Sequence, residues 1–225
     1  IVAVVGVIVE RIAVRPALKT AGSMGWVIAT LGFGILLQGI TSKFFGSQAI
    51  PFPEVLFTVQ DVIDVGGQNI SLQYVSIFVV SILIIVILEG LTRYTVLGTA
   101  IRGTAQDMEL AIVQGLPVNL IVSGSFVLSS IMAGIAGILT AQISGTVDPA
   151  FGFELVLMGF VAAVLGGMGS SAGALLGGII VGIIGKLVGG YISTAAEHGI
   201  AFALLITMLA LRPEGFFGRA EVSKA

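Results

Sequence analysis

Residues 72–91 read LQYVSIFVVSILIIVILEGL, with Glu89 as the one charged side chain in the run. A helix rises about 1.5 Å per residue, so roughly 20 such residues cross the ~30 Å hydrocarbon core of a bilayer. From Tyr74 to Leu88 the run is apolar but for Ser76 and Ser81, with no polar/apolar alternation. A barrel strand would instead alternate over about ten residues. Backbone groups in hydrocarbon must be paired within their own segment, which favours a helix. The stretch therefore predicts a transmembrane helix.

Similar runs flank it on both sides. Candidate spans are Ile1–Ile12, Trp26–Phe44, Leu72–Leu91, Val118–Ala141, Phe153–Leu165, Ala174–Tyr191 and Gly199–Leu211. The fold class expected is all-α, a polytopic transmembrane bundle forming a single domain over 1–225. Composition agrees: 56% of residues are hydrophobic and 10% charged, with a mean hydropathy of +1.13. Soluble domains carry about 25% charged residues. The first span starts inside an apolar run at Ile1, without a charged leader, and is read as a helix already under way.

Composition also narrows the chemistry. The net charge of −2 gives no basic field for nucleic acid. With no cysteine and only His198, thiolate sites and histidine-rich metal sites are excluded, so no metal or cofactor is expected. Basic residues cluster after the first, third and last spans, as Arg11, Arg15 and Lys19, then Arg93 and Arg102, then Arg212, Arg219 and Lys224. Alternating spans put these clusters on one side, which the positive-inside rule makes cytoplasmic. The opposite loop, 46–71, holds Glu54, Asp61 and Asp64 and no Lys or Arg.

Small residues recur at four-residue spacing, as in Gly173/Gly177, Gly178/Gly182 and Gly185/Gly189, with Ala133/Gly137 on another span. Positions i and i+4 share a helix face, so these stripes suit close helix packing or a sliding pore wall. Lys186 lies in the outer half of its span, where a snorkelling side chain reaches the interface. Glu89 and Arg93 are one turn apart and suit a local pair. Gln38 and Gln142 are candidates for pore lining.

Two catalytic patterns fail on context. Gly169-Ser170-Ser171-Ala172-Gly173 matches G-x-S-x-G, yet its flanks are spans rather than a strand and a helix. A rhomboid-type protease would pair Ser171 with His198, which the span order puts on opposite membrane faces. The alternative is a tight Gly/Ser turn over 166–171. Gly185-Lys186 resembles the end of a P-loop, but Ile180 stands where glycine is required and Leu187 follows the lysine. Work driven by ATP would thus need a separate subunit.

The longest cytoplasmic stretch is 92–117. Residues 100–114 suit an amphipathic helix, with Ala105, Met108, Ala111 and Ile112 near one face and Gln106, Asp107, Glu109 and Gln114 polar. Gly115 and Pro117 stop it. A short helix on the water side can enter a groove on a partner.

Residues 109–115, Glu-Leu-Ala-Ile-Val-Gln-Gly, resemble the E-A-A-x-x-x-G motif of ABC importer permeases, with Leu110 for the first alanine. Further motifs follow in the order found in branched-chain amino acid permeases. They include Glu10-Arg11-Ile12-Ala13-Val14-Arg15-Pro16, Asp148-Pro149-x-x-Gly152-Phe153, Ala162-Ala163-Val164-Leu165-Gly166-Gly167-Met168-Gly169-Ser170 and Arg212-Pro213-x-Gly215. The likeness, to the H-type subunit of the Liv system, covers essentially the whole chain; Asp148 replaces an expected asparagine. The resemblance implies that about two helices precede Ile1. It also implies a non-enzymatic permease in the inner membrane, working with a second permease subunit, cytoplasmic ABC ATPases and an extracytoplasmic solute-binding protein. Residues 99–116 would be the coupling helix, with Gln106, Asp107, Glu109, Ala111 and Gly115 docking on the ATPase. Segments 46–71 and 144–152 would meet the binding protein. The cargo implied is leucine, isoleucine or valine. Urea or short amides, an ion-coupled secondary transporter and the intramembrane protease are the other readings.

Overall fold

The computed structural model describes residues 1–20, 25–53, 61–65, 68–167, 169–212 and 215–216. Glu54, Met168, Pro213, Arg219 and Lys224, and the side chains of Lys19, Trp26 and His198, lie outside the described residues. Two compact units emerge, Ile1–Phe151 and Gly152–Ala225.

The first unit begins with α1 (Val2–Val9), which continues through one π turn (Glu10–Val14) into α2 (Arg15–Thr20). Next come α3 (Gly25–Phe45), β1 (Ile50–Pro51), β2 (Val62–Val65) and β3 (Gln68–Ser71). They are followed by α4 (Leu72–Tyr94), α5 (Val96–Gln106), α6 (Met108–Val113), α7 (Val118–Ser144) and β4 (Thr146–Val147). Ser71 caps α4 by accepting from the Gln73 amide at 3.3 Å. Helix α1 packs along α7, while α5 lies against both α4 and α7.

Two small antiparallel ribbons lie at helix ends, which the all-helical reading did not anticipate. β2 pairs with β3 as a hairpin, and β1 pairs with β4 through Ile50/Val147 and Pro51/Thr146. Leaving a helix orphans backbone groups, and the ribbons satisfy some of them. Nearby, Gln73 is buried and donates from Nε2 to the Gln142 carbonyl at 2.9 Å. This bond ties the start of α4 to the end of α7.

The second unit holds α8 (Phe151–Gly166, starting at the boundary), α9 (Ser171–Tyr191) and α10 (Thr194–Leu211). Val161, Leu165, Val181, Ala201 and Met208 form its core. Ser170 is the N-cap of α9, accepting from the Gly173 amide at 3.0 Å. Ser171, the serine of the G-x-S-x-G pattern, is the first residue of α9, so the pattern marks a helix start after a Gly/Ser turn.

Four described helices are long and apolar enough to span a membrane: 28–45 within α3, then α4, α7 and α9. α8 and the 199–211 part of α10 are shorter and apolar. The wide apolar exposure of α4, including Phe78, Leu83 and Val86, suits a hydrocarbon environment and would be costly in water. The molecule is a multi-pass helical membrane protein.

Candidate functional site

The segment between α4 and α7 departs from one continuous helix. It is two helices joined at sharp corners, each corner made by one extended residue. Thr95 (φ −107°, ψ 155°) ends α4 and caps α5. Its hydroxyl donates to the Leu91 carbonyl at 2.5 Å and accepts from the Gly98 amide at 3.1 Å. Arg102 reaches back from α5 to donate to the Thr92 carbonyl, satisfying one of the orphan groups at the end of α4. Gly98 is buried where α5 crosses that end. A Cβ there would stand 2.5 Å from the Leu91 oxygen and closer still to the Thr92 oxygen.

Asp107 (φ −154°, ψ 103°) makes the second corner. Its Oδ1 accepts from the amides of Glu109 at 3.1 Å and Leu110 at 3.0 Å, which starts α6. The α6 C-terminus closes with the Leu116 amide on the Ala111 carbonyl and the Gly115 amide on the Ile112 carbonyl. This is the paired pattern of a glycine-terminated helix, and Gly115 has the required positive φ of 77°. Pro117 then leads into α7.

The sequence-predicted residues sort by role. Gln106 and Glu109 are exposed, Asp107 is half-buried as a cap, and Gly115 forms the turn. Ala111 is buried, so its side chain faces inward and contributes no outer surface. The outer surface of α6 is mostly apolar instead: Met108, Leu110, Ile112 and Val113 are all exposed, Val113 by 82%, with Glu109 exposed among them. Gln142 is buried near the end of α7, and Gln38 is half-buried on α3. The structure does not join these two glutamines to the α5–α6 segment.

Glu89 and Arg93 form the local pair expected, at 3.7 Å. Such exposed pairs contribute about 0–1 kcal/mol. A second ion pair was not foreseen: Arg15 Nε lies 3.0 Å from Glu10 Oε1, and Glu10 is buried. In an α-helix, residues five apart point to different faces, so the spacing hid it. The π turn, with bonds five residues apart, brings them together. Among the described residues, no group of three His, Cys, Asp or Glu side chains could hold a metal ion.

Two capped helices, one with exposed apolar side chains, thus stand between two helices of membrane-spanning length. The chain belongs to the family described as branched-chain amino acid transport system, permease component, whose model matches residues 1–211. It is 35% identical to the high-affinity branched-chain amino acid transport system permease protein LivH of Escherichia coli K12, over 96% of this chain and 70% of that protein. It is 32% identical to the corresponding permease protein BraD of Pseudomonas aeruginosa, over 97% and 72%. A probable LivH permease of Methanocaldococcus jannaschii is likewise 32% identical, over 96% and 71%. No solved structure matches significantly.

Proposed function

We propose that α5 and α6 are the coupling element through which a separate cytoplasmic ATPase drives this permease, and that the cargo is a branched-chain amino acid. The observation that carries the coupling role is the exposure of Leu110, Ile112 and Val113 on a helix capped at both ends. An apolar face on a rigid, water-side helix fits a groove on a partner. Ala111, turned inward, lets α6 seat against the chain's own body, while Gln106 and Glu109 supply polar rim contacts. The cargo is supported by the family and by the LivH and BraD relatives, described as high-affinity branched-chain amino acid transport permeases.

In this reading the chain sits in the inner membrane beside a second permease subunit. A solute-binding protein delivers cargo on the side opposite α6. ATP binding and hydrolysis by the motor move α6, and the spans alternate access. The motor must bind the two permease states with different affinity, or it shifts nothing.

The test is uptake of labelled leucine by the complete importer in proteoliposomes. Glu109→Lys and Gly115→Pro should lose uptake while the chain remains inserted and the ATPase remains active. Wild-type uptake in both variants would refute the docking role. Labelling that placed Gln106 on the same side as the solute-binding protein would refute it independently.

A further inference from the structure

Glu10 is 1% exposed at the end of the apolar α1, and its Oε2 is buried with no hydrogen-bond donor among the described residues. Burying a carboxylate with one oxygen unsatisfied is costly, and apolar residues of similar volume often stabilise as well or better. Stability alone gives no reason for this charge. Its connections do. Arg15 is tied to Glu10 twice: its backbone amide donates to the Glu10 carbonyl across the π turn, and its Nε donates to Oε1 at 3.0 Å. The same guanidinium reaches α7, where Nη2 donates to Ser123 Oγ at 3.3 Å. Ser123 lies just inside the start of α7, which follows α6 after the Gly115 turn.

Two further contacts continue along the same helix pair. A Cβ on Gly6 would lie 2.7 Å from the Ser130 Cβ and 3.0 Å from the Phe126 carbonyl, so the backbones approach closely. A Cβ on Gly134 would lie 3.4 Å from the Val2 Cβ and 3.1 Å from its methyls. The contacts run antiparallel, with 2, 6 and 15 on the first helix meeting 134, 130 and 123 on α7.

We propose that Glu10, Arg15 and Ser123 form a clasp that makes the first helix and α7 one rigid body, so that movement delivered to α6 passes through α7 to α1. These are positioning residues, and the inference rests on the reading of the chain as an ATP-driven importer subunit. Buried charge suits the task because it holds the helices in one register, which apolar side chains sliding on each other do not enforce. The π turn supplies the geometry that puts residues 10 and 15 on one face.

The sequence holds no cysteine of its own to compete with an introduced pair. Val2→Cys with Gly134→Cys would place the two Cβ atoms near the ~3.8 Å mean of disulfides. In the complete importer in proteoliposomes, oxidising this pair should leave leucine uptake within about twofold of the reduced form, because the two helices travel together. Loss of uptake on oxidation, restored by reductant, would show that they must separate and would overturn the clasp. Glu10→Gln should lower leucine carried per ATP hydrolysed by about tenfold. The disulfide in that background should restore the ratio, since a covalent bond replaces the clasp. A wild-type ratio in Glu10→Gln would also overturn it. If Glu10→Gln fails to assemble, the crosslink in the otherwise unaltered chain decides alone. Absence of ATP-driven uptake by the unmodified importer would instead remove the importer reading, and the clasp's role with it.

Discussion

Gly98 and Gly103 lie five residues apart on α5, and the same substitution should act in opposite directions at them. Alanine in a helix interior is favoured over glycine by about 0.5–1 kcal/mol, because glycine loses more backbone freedom on folding. At Gly103 no atom stands within 4 Å of an added Cβ, so that gain should be realised in full. At Gly98 the new methyl would stand 2.5 Å from the Leu91 carbonyl oxygen and closer to that of Thr92. That is about 1 Å inside the ~3.5 Å lower edge of optimal contact. Both obstacles are backbone atoms of α4 that cannot rotate away, and both accept hydrogen bonds at the corner. Overpacking of this kind costs about 1–3 kcal/mol. Subtracting the helix gain leaves Gly98→Ala destabilising by roughly 1–2 kcal/mol. The corner would be expected to relieve the overlap by opening, swinging α5 and α6 away from α4. Thermal unfolding of the solubilised importer should show a lower midpoint for Gly98→Ala and a higher one for Gly103→Ala than for the unaltered chain. Leucine uptake per ATP should fall for the first and hold for the second. Equal midpoints and equal uptake in the two variants would refute the claim that α5 is locked onto the end of α4.

Asp107 separates capping from charge recognition. Asp107→Ala removes the acceptor for two amides and should destabilise α6 by about 1 kcal/mol, whereas Asp107→Asn keeps a side-chain acceptor of equal capping strength. If Asp107 acts as a cap, uptake should fall in the alanine variant and survive in the asparagine variant; equal losses in both would assign it to a basic group on the motor. Gly115 is constrained by its φ of 77° rather than by space, since no atom lies within 4 Å of an added Cβ. Gly115→Ala should therefore cost about 1–2 kcal/mol and Gly115→Asn less, read as the ordering of unfolding midpoints.

The spans were legible because hydrocarbon imposes a length and a composition that few other environments do. Trp26–Phe44 was expected where α3 runs Gly25–Phe45, and Val118–Ala141 where α7 runs Val118–Ser144. Misplaced edges have local causes. Helix α10 starts at Thr194, before the expected Gly199, because hydropathy ignores a polar first turn that is still helical. The ribbon of Ile50–Pro51 with Thr146–Val147 was invisible, since strands of two residues have no period to detect and their partner is distant in the chain.

In the α5–α6 segment, periodicity ran through Asp107 and suggested one helix over 100–114. An aspartate can join a polar face or cap a helix start, and only the extended backbone at Asp107 distinguishes the two. Breaking the helix there re-aims everything after it. Ala111 turns inward, and Leu110 and Val113, neither assigned to the apolar face of a continuous helix, become exposed.

Glu10 and Arg15 show the same limit from the other direction. Arg15 was counted with the basic residues that orient the chain, which its position at a span end justified. A pairing five residues apart lies outside the three- and four-residue spacings of α-helical neighbours, and only one π turn makes it geometrically available. At both sites, departures from regular helix place polar groups whose residue types were plain in the sequence and whose partners were not.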